Sequence, residues 1–285
     1  MNQEDCCNTI VRKKHYAVGL SIAGSDPSGG AGIQADIKTF SALGVYGAAV
    51  ITALTIQNTV GVQYVHPVPP QVVYDQIVAV MSDIRPSVVK VGMVNDVFTL
   101  KAIVTALRQY KPSFLIVDPV IMSSSGKQLM SDDAMALLIN DMLPVTDLLT
   151  PNIPEAKRLT DNNDLSGAAI TLLEYGVKAV LIKGGHSTDK DKTDILFRKT
   201  ENGIVTDSYT SSSVNSNNTH GTGCTLSTAI ASFLARGCDI CHAIEKAKHY
   251  ITEALKAGAE VETGKGTGPL NHFFDPEPLI IKDYE

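Results

Sequence analysis

No stretch of the 285 residues is apolar for long enough to span a bilayer as a helix, which sets aside that class of membrane protein. No cluster of Lys and Arg forms a basic groove, and the formal net charge is −6, so nucleic acid is not expected as a main partner. A local positive site for phosphates is compatible with that balance. Residues 1–14 are polar and lack the apolar core of a signal peptide; they read as a flexible leader, and export is not expected. Cysteines number five, an odd count for a chain this long, which fits a reducing, cytoplasmic compartment. Cys6 and Cys7 fall in the leader. Cys238 and Cys241 form a C-x-x-C with no second pair, and Ala235-Arg236-Gly237-Cys238-Asp239 reads as a turn between helices, so no zinc site is expected. No repeat, low-complexity tract or Pro/Gly linker divides the chain, and a single domain over 15–285 is expected.

What the chain does have is alternation. Hydrophobic residues at 44% and charged ones at 19% are ordinary for a soluble globular protein. Strand-like and helix-like patterns follow one another through almost the whole length, the signature of an α/β protein with helices covering a mostly parallel sheet. Core strands are expected over Tyr16–Ala23, Ala48–Thr55, Val88–Val91, Phe114–Val117, Leu148–Leu149 and Ala179–Ile182, with a shorter one at Val62–Val65. Helices are expected over Gly32–Leu43, after Pro69-Pro70, near Lys101, Ala136 and Ala169, and over Cys224–Ala235 and Ile240–Ala257. Glu201-Asn202-Gly203 joins two further strands as an Asn-Gly hairpin.

The most informative segment is Asn217-Asn218-Thr219-His220-Gly221-Thr222-Gly223-Cys224, which runs directly into an apolar helix. Gly221 and Gly223 let backbone N–H groups approach an anion, and the helix N-terminus adds free donors and positive dipole at the same point. A thiol in that first turn is expected to have a lowered pKa. Gly221, Thr222 and Gly223 as an anion hole, with Cys224 as base or acceptor-positioning group, would equip the protein for transfer of a phosphoryl group.

A second glycine loop, Gly24-Ser25-Asp26-Pro27-Ser28-Gly29-Gly30-Ala31-Gly32, follows the first strand. It is not a Walker A loop, since Gly30-Ala31 stands where Lys and Ser/Thr belong. It is not a dinucleotide fingerprint either, because no carboxylate follows the next strand before Asp75. The loop reads as lining a site without gripping pyrophosphate. Asp36 and Gln57 either face that crevice, where carboxylate and amide would suit an amino group beside a ring nitrogen, or are solvent-facing polar residues.

With both loops in view, the chain resembles the ribokinase-like superfamily, and within it the hydroxymethylpyrimidine/phosphomethylpyrimidine kinases of thiamine biosynthesis. The resemblance rests on Ala23 to Asp36, Val50-Ile51-Thr52-Ala53-Leu54, Gln57-Asn58-Thr59, Thr150 to Ala156, Lys183-Gly184-Gly185-His186, Asn218 to Thr225 and Gly264 to Pro269. It implies a three-layer α/β/α fold, an ATP and Mg²⁺ phosphoryl donor, a small aminopyrimidine acceptor and a homodimer. Residue by residue, it implies that Gly24, Asp36, Gln57, Met93 and Val120 contact the pyrimidine. Asn152 and Glu155 match an Asn-x-x-Glu element that organises magnesium and phosphate. Lys183, Thr219 and Lys265 fall to the nucleotide, and Asp118 to the metal or the acceptor. His186 and His220 are read as loop residues with structural hydrogen bonds. The competing enzyme reading is a pyridoxal kinase, strict or bifunctional, with the loop Ile121–Lys127 setting selectivity. A non-catalytic sensor fits less well, because a sensor has no need of Asn152, Glu155, Lys183 and the glycine cradle together; an oxidoreductase fits less well still.

Overall fold

A computed structural model describes residues 14–123, 126–185 and 191–283. In chain order the strands are β1 (Lys14–Tyr16), β2 (Val18–Ser25), β3 (Tyr46–Asn58), β4 (Gly61–Pro67), β5 (Val88–Val91), β6 (Phe114–Val117), β7 (Leu148–Leu149), β8 (Ala179–Ile182), β9 (Asp191–Thr200), β10 (Gly203–Ser212) and β11 (Ile281–Asp283). The helices are α1 (Gly32–Ala42), α2 (Pro70–Asp83), α3 (Val97–Tyr110), α4 (Asp132–Leu137), α5 (Ile153–Thr160), α6 (Leu165–Glu174), α7 (Thr222–Ala235) and α8 (Ile240–Gly258). Nine strands form one sheet in the order β10-β9-β8-β7-β6-β5-β2-β3-β4. The strands from β3 to β8 in that order run parallel, and antiparallel hairpins finish both edges.

Strand alternation sorts side chains onto two faces. Leu115 and Val117 of β6, with Val180 and Ile182 of β8, pack beneath α2, α3, α5 and α6. Ile116 and Leu181 from the same strands face the opposite way, against α1, α7 and α8. The result is the three-layer α/β/α arrangement expected of a ribokinase-like chain. Buried on both sides, these strands read in sequence as short unbroken apolar runs. That is why β5, β6, β7 and β8 coincide with their expected bounds.

The departures have physical reasons. The helix expected near Ala136 is only six residues, and widens into one π-type turn over Leu138–Met142 and a short 3₁₀ turn before Thr146. Pro144 cannot donate to a continuing α-helix. The small β1–β11 sheet, joining Lys14 to Asp283, was not expected from the sequence. Among the described residues no helix is long and apolar enough to cross a membrane.

Candidate active site

The chain moves from β2 outward to β3 and then returns to the other side of β2 as β5, so the strand order reverses between β2 and β5. Crevices form outside the carboxyl ends of strands at such a point. Gly24 lies at that end of β2, Met93 just past β5, Asp118 and Val120 just past β6, Asn152 past β7 and Lys183 directly after β8.

One side of the crevice is a charged corner. Lys183 Nζ lies 2.7 Å from Asp118 Oδ1, with the two side chains 12% and 2% exposed. Thr150 and Ser227 hydroxyls donate to the same carboxylate at 3.3 and 3.4 Å. Burial alone would raise the Asp118 carboxyl, but the Lys183 and Lys90 charges hold it below its ordinary value. Burial likewise opposes charge on Lys183, and Asp118 and Glu155 together keep it raised. A Cβ built on Gly223 would stand 3.3 Å from Lys183 Nζ and 3.7 Å from Asp118 Oδ2, so the first turn of α7 abuts this ion pair. No side chain among the described residues caps α7. Among the described residues no acceptor takes the Gly223 or Cys224 N–H, which leaves both as donors at the positive end of the helix.

Asn152 and Glu155 form a reciprocal capping box on α5: Glu155 N–H donates to Asn152 Oδ1 at 2.8 Å, and Asn152 N–H to Glu155 Oε2 at 2.8 Å. Burial, with the Asp118 carboxylate adding to it, outweighs Lys183 and pushes Glu155 from its usual 4.5 up to about 7. A carboxyl raised by folding contributes stability that is full below its unfolded value and lost as pH rises through its folded one. In the metal-free protein, stability in urea should therefore fall between about pH 4.5 and 7, and Glu155→Gln should flatten that limb. An unchanged limb in the variant would remove Glu155 as its source.

The other side of the crevice is apolar. Ala53, Met93 and Leu129 form a small buried cluster, separate from the two main cores, with Val65 and Val120 packed on it. Gly24 touches it, since a Cβ there would stand 2.4 Å from Met93 Cε. Gly24, Met93 and Val120 are thus brought together. Gln57 enters from the end of β3, where the β3–β4 register shifts between Ile56 and Gln57. Its amide nitrogen lies 3.0 Å from His220 Nε2, and that ring nitrogen is 2.8 Å from Asp26 Oδ2.

Two expectations are corrected. Asp36 does not face the crevice. It is 0% exposed; both its oxygens accept from Lys90 Nζ at 3.0 and 2.8 Å, and Thr228 and Ser21 hydroxyls complete its shell. With four bonds already made and no surface, it has nothing to offer a ring. The thiol expectation also reverses. Cys224 is half-buried, and desolvation, with the Asp36 and Asp118 carboxylates adding to it, outweighs Lys90 and pushes it up to about 11.

Thr219 and Lys265 are exposed. The loop carrying Lys265 is tied to the end of β3, where Gly266 N–H donates to Thr59 Oγ1 at 3.1 Å. His186, and positions 124–125 of the Ile121–Lys127 loop, lie outside the described residues. Cys238 precedes Asp239, the N-cap of α8, in the turn expected between the last two helices, and Cys241 lies in the first turn of α8. Among the described residues no three His, Cys, Asp or Glu side chains cluster as a metal site. Sequence reading missed Lys90 and Asp194. Lys90 was detectable as a lone charge inside the apolar Val88–Val91 strand, a position that demands a buried partner. Asp194 accepts the Gly184 N–H at 2.8 Å and pairs with Lys248 at 2.7 Å, fixing the backbone after Lys183.

The chain that carries this glycine-edged helix N-terminus, buried Lys–Asp pair and apolar cradle is similar to known proteins. The family model for phosphomethylpyrimidine kinase matches residues 26–271. The chain belongs to that family. It is 44% identical over 263 residues to a hydroxymethylpyrimidine/phosphomethylpyrimidine kinase of Rhizobium meliloti, covering 90% of this chain and 97% of that protein. A thiamine biosynthesis bifunctional protein of Geobacter sulfurreducens is 45% identical over 265 residues, 91% of this chain, and this chain spans about half (53%) of its length. The crystal structure of phosphomethylpyrimidine kinase from Clostridium difficile superposes with a TM-score of 0.74 at 43% identity, covering 84% of this chain and 99% of that one. An ADP complex of Bacillus subtilis pyridoxal kinase superposes with a TM-score of 0.82 at 28% identity, covering 90% and 98%.

Proposed function

We propose that this protein transfers the γ-phosphoryl group of ATP to 4-amino-5-hydroxymethyl-2-methylpyrimidine and then to its monophosphate, within thiamine biosynthesis, as one kinase domain over residues 15–285. The observation that carries the reading is the meeting of Lys183, Asp118 and the α7 N-terminus at Gly223, beside the apolar cluster of Met93 and Val120. Phosphoryl transfer depends mainly on positioning and charge stabilisation. Gly223 and Cys224 N–H groups, following Gly221 and Thr222, would hold the migrating group, with Lys183 neutralising it. Gly24, Met93 and Val120 would clasp the ring, with Gln57 reading its edge. Asn152, Thr219 and Lys265 fall on the nucleotide side.

Asp118 and Glu155 are hard oxygen donors, and two buried carboxylates share one ammonium there, which fits a magnesium ion held by few protein ligands plus phosphate and water oxygens. Bound there, such an ion would offset phosphate charge.

Cys224 is assigned to positioning the acceptor. A base role would burden the first transfer most, because the alcohol must lose a proton whereas a phosphate monoester ionises at about pH 6. With its thiol up at about 11, Cys224→Ala should slow both transfers to a comparable degree; a loss confined to the first would restore the base role. The test of the function is a panel of the hydroxymethylpyrimidine, its phosphate and pyridoxal, scored by ADP formation. Turnover with pyridoxal alone would favour the second reading, which the likeness to pyridoxal kinase supports.

The outer face of the β3–β4 hairpin leaves Leu54, Ile56 and Tyr64 about half exposed, an apolar surface that supports a homodimer. Sedimentation of Ile56→Asp against the parent tests it, a monomer in both counting against it. The odd cysteine count supports a cytoplasmic setting.

A further inference from the structure

His220 sits between three segments. Its Nε2 is 2.8 Å from Asp26 Oδ2 and 3.0 Å from the Gln57 amide, and it is 12% exposed. Its ring also packs on the first glycine loop, since a Cβ on Gly30 would stand 2.5 Å from the ring's Cδ2. Its main-chain N–H donates to Gly268 O at 3.1 Å, so the ring is held from its backbone end. Asp26 is itself pinned: Ser28 N–H and hydroxyl donate to Oδ1 at 2.9 and 2.7 Å, and Ala31 N–H to Oδ2 at 2.8 Å. Burial would raise this carboxyl, but His220 and Ser28 hold it down at about 2, so it is an anion across the working range.

A fixed anion decides the imidazole. A bare Nε2 lone pair 2.8 Å from a carboxylate oxygen would be repelled, so Nε2 carries a proton and donates it to Asp26. That ring nitrogen then has no lone pair for an amide N–H. An amide's oxygen and nitrogen exchange places by rotation about its last bond, and the neighbouring donors choose between them. Only an acceptor can face that N–H, which Asp26 and Gln57 then share as a bifurcated hydrogen bond, so the amide oxygen of Gln57 belongs on the His220 side and the NH₂ turns toward the crevice.

We propose that His220 is a specificity-determining positioning residue, which locks the Gln57 amide so that the crevice presents an N–H donor to a ring nitrogen of the acceptor. The second lone pair on Gln57 Oε1 is left for the adjacent exocyclic amino group. An acceptor with an amino group beside a ring nitrogen meets this donor–acceptor order, and one lacking that pair does not. The proposal rests on the reading of Gln57 as the residue that meets the pyrimidine.

The experiment is a double-mutant cycle, His220→Ala and Gln57→Ala singly and together, with KM measured for the hydroxymethylpyrimidine and for ATP. His220→Ala should raise the pyrimidine KM about tenfold, the scale of one hydrogen bond, and change the ATP KM less than twofold. In the Gln57→Ala background the same substitution should have no further effect. His220→Gln, which returns a polar atom near the Nε2 position, should recover most of the loss. An equal loss in both backgrounds, or a loss carried by ATP, overturns the proposal while leaving Gln57 in place. A pyrimidine KM untouched by Gln57→Ala overturns the Gln57 reading and the proposal with it. Should His220→Ala not fold, a pyrimidine analogue with CH in place of the ring nitrogen beside the amino group serves instead. It should bind the parent about tenfold more weakly than the natural acceptor and bind Gln57→Ala no differently; equal binding to the parent overturns the proposal.

Discussion

Replacing Lys183 by methionine is expected to lower kcat by about a thousandfold, and to cost stability as well. The ammonium is hydrogen-bonded to the Asp118 carboxylate and abuts the first turn of α7. Removing a charge aimed at a transferring phosphoryl group typically costs about 10²–10³ in rate. The stability loss has a separate origin. Asp118 is 2% exposed, and without Lys183 it loses its hydrogen-bonded ammonium and keeps only the unbonded Lys90 charge, a change worth up to about 3–5 kcal/mol. Adding Asp118→Asn should restore much of the urea midpoint and none of the rate. Steady-state assays and urea titrations of the two variants and the parent check both halves. A Lys183→Met protein as active as its parent would move the phosphate site elsewhere, and one as stable would mean the ion pair is not buried in solution.

The second large effect is at Gly221. Its φ of +82° suits glycine, and a Cβ there would lie 1.8 Å from the Gly30 carbonyl oxygen, far inside contact. Gly221→Ala must push the two glycine loops apart, and with them the start of α7. A displacement of about 1 Å in a positioned site costs about a hundredfold in rate, so kcat/KM should fall by at least that. Gly126 separates contact from conformation. It has nearly the same φ, +84°, but among the described residues nothing lies within 4 Å of its Cβ position. Gly126→Ala should lose only the left-handed strain of about 1–2 kcal/mol, and Gly221→Ala clearly more. Equal shifts in thermal midpoint would show that the loops are not in contact at this point.

What could be read from the sequence divides by range. Strands β5 to β8 announce themselves as short apolar runs because both faces are buried, and the Asn202-Gly203 turn carries its own backbone chemistry. The glycine cradle at 221–223 is equally local. The β1–β11 pair is not: three-residue strands some 265 positions apart leave no periodic trace. Asp36 was misplaced for a related reason. Its position one turn into α1 fixes which way it leaves the helix, but only the packing of α1 and α7 over β5 decides that Lys90 waits there. The thiol error is similar, since the helix dipole is visible in the sequence whereas desolvation by the surrounding fold is not. His220 was legible as a hydrogen-bonding loop residue; its partners Asp26 and Gln57, 194 and 163 positions away, were not.

One ribbon of β3 has obligations on both of its sides. Ala53, in the apolar cradle with Met93 and Leu129, and Thr55 turn inward, while Leu54 and Ile56, alternating with them, point outward to the apolar surface. Because side chains alternate, adding or deleting a single residue upstream in this strand would exchange the two sets. Such length changes would turn the cradle inside out, whereas changes by two would keep its parity. Drift in this part of the chain is thereby confined to substitutions, and each one is judged by the side it happens to face.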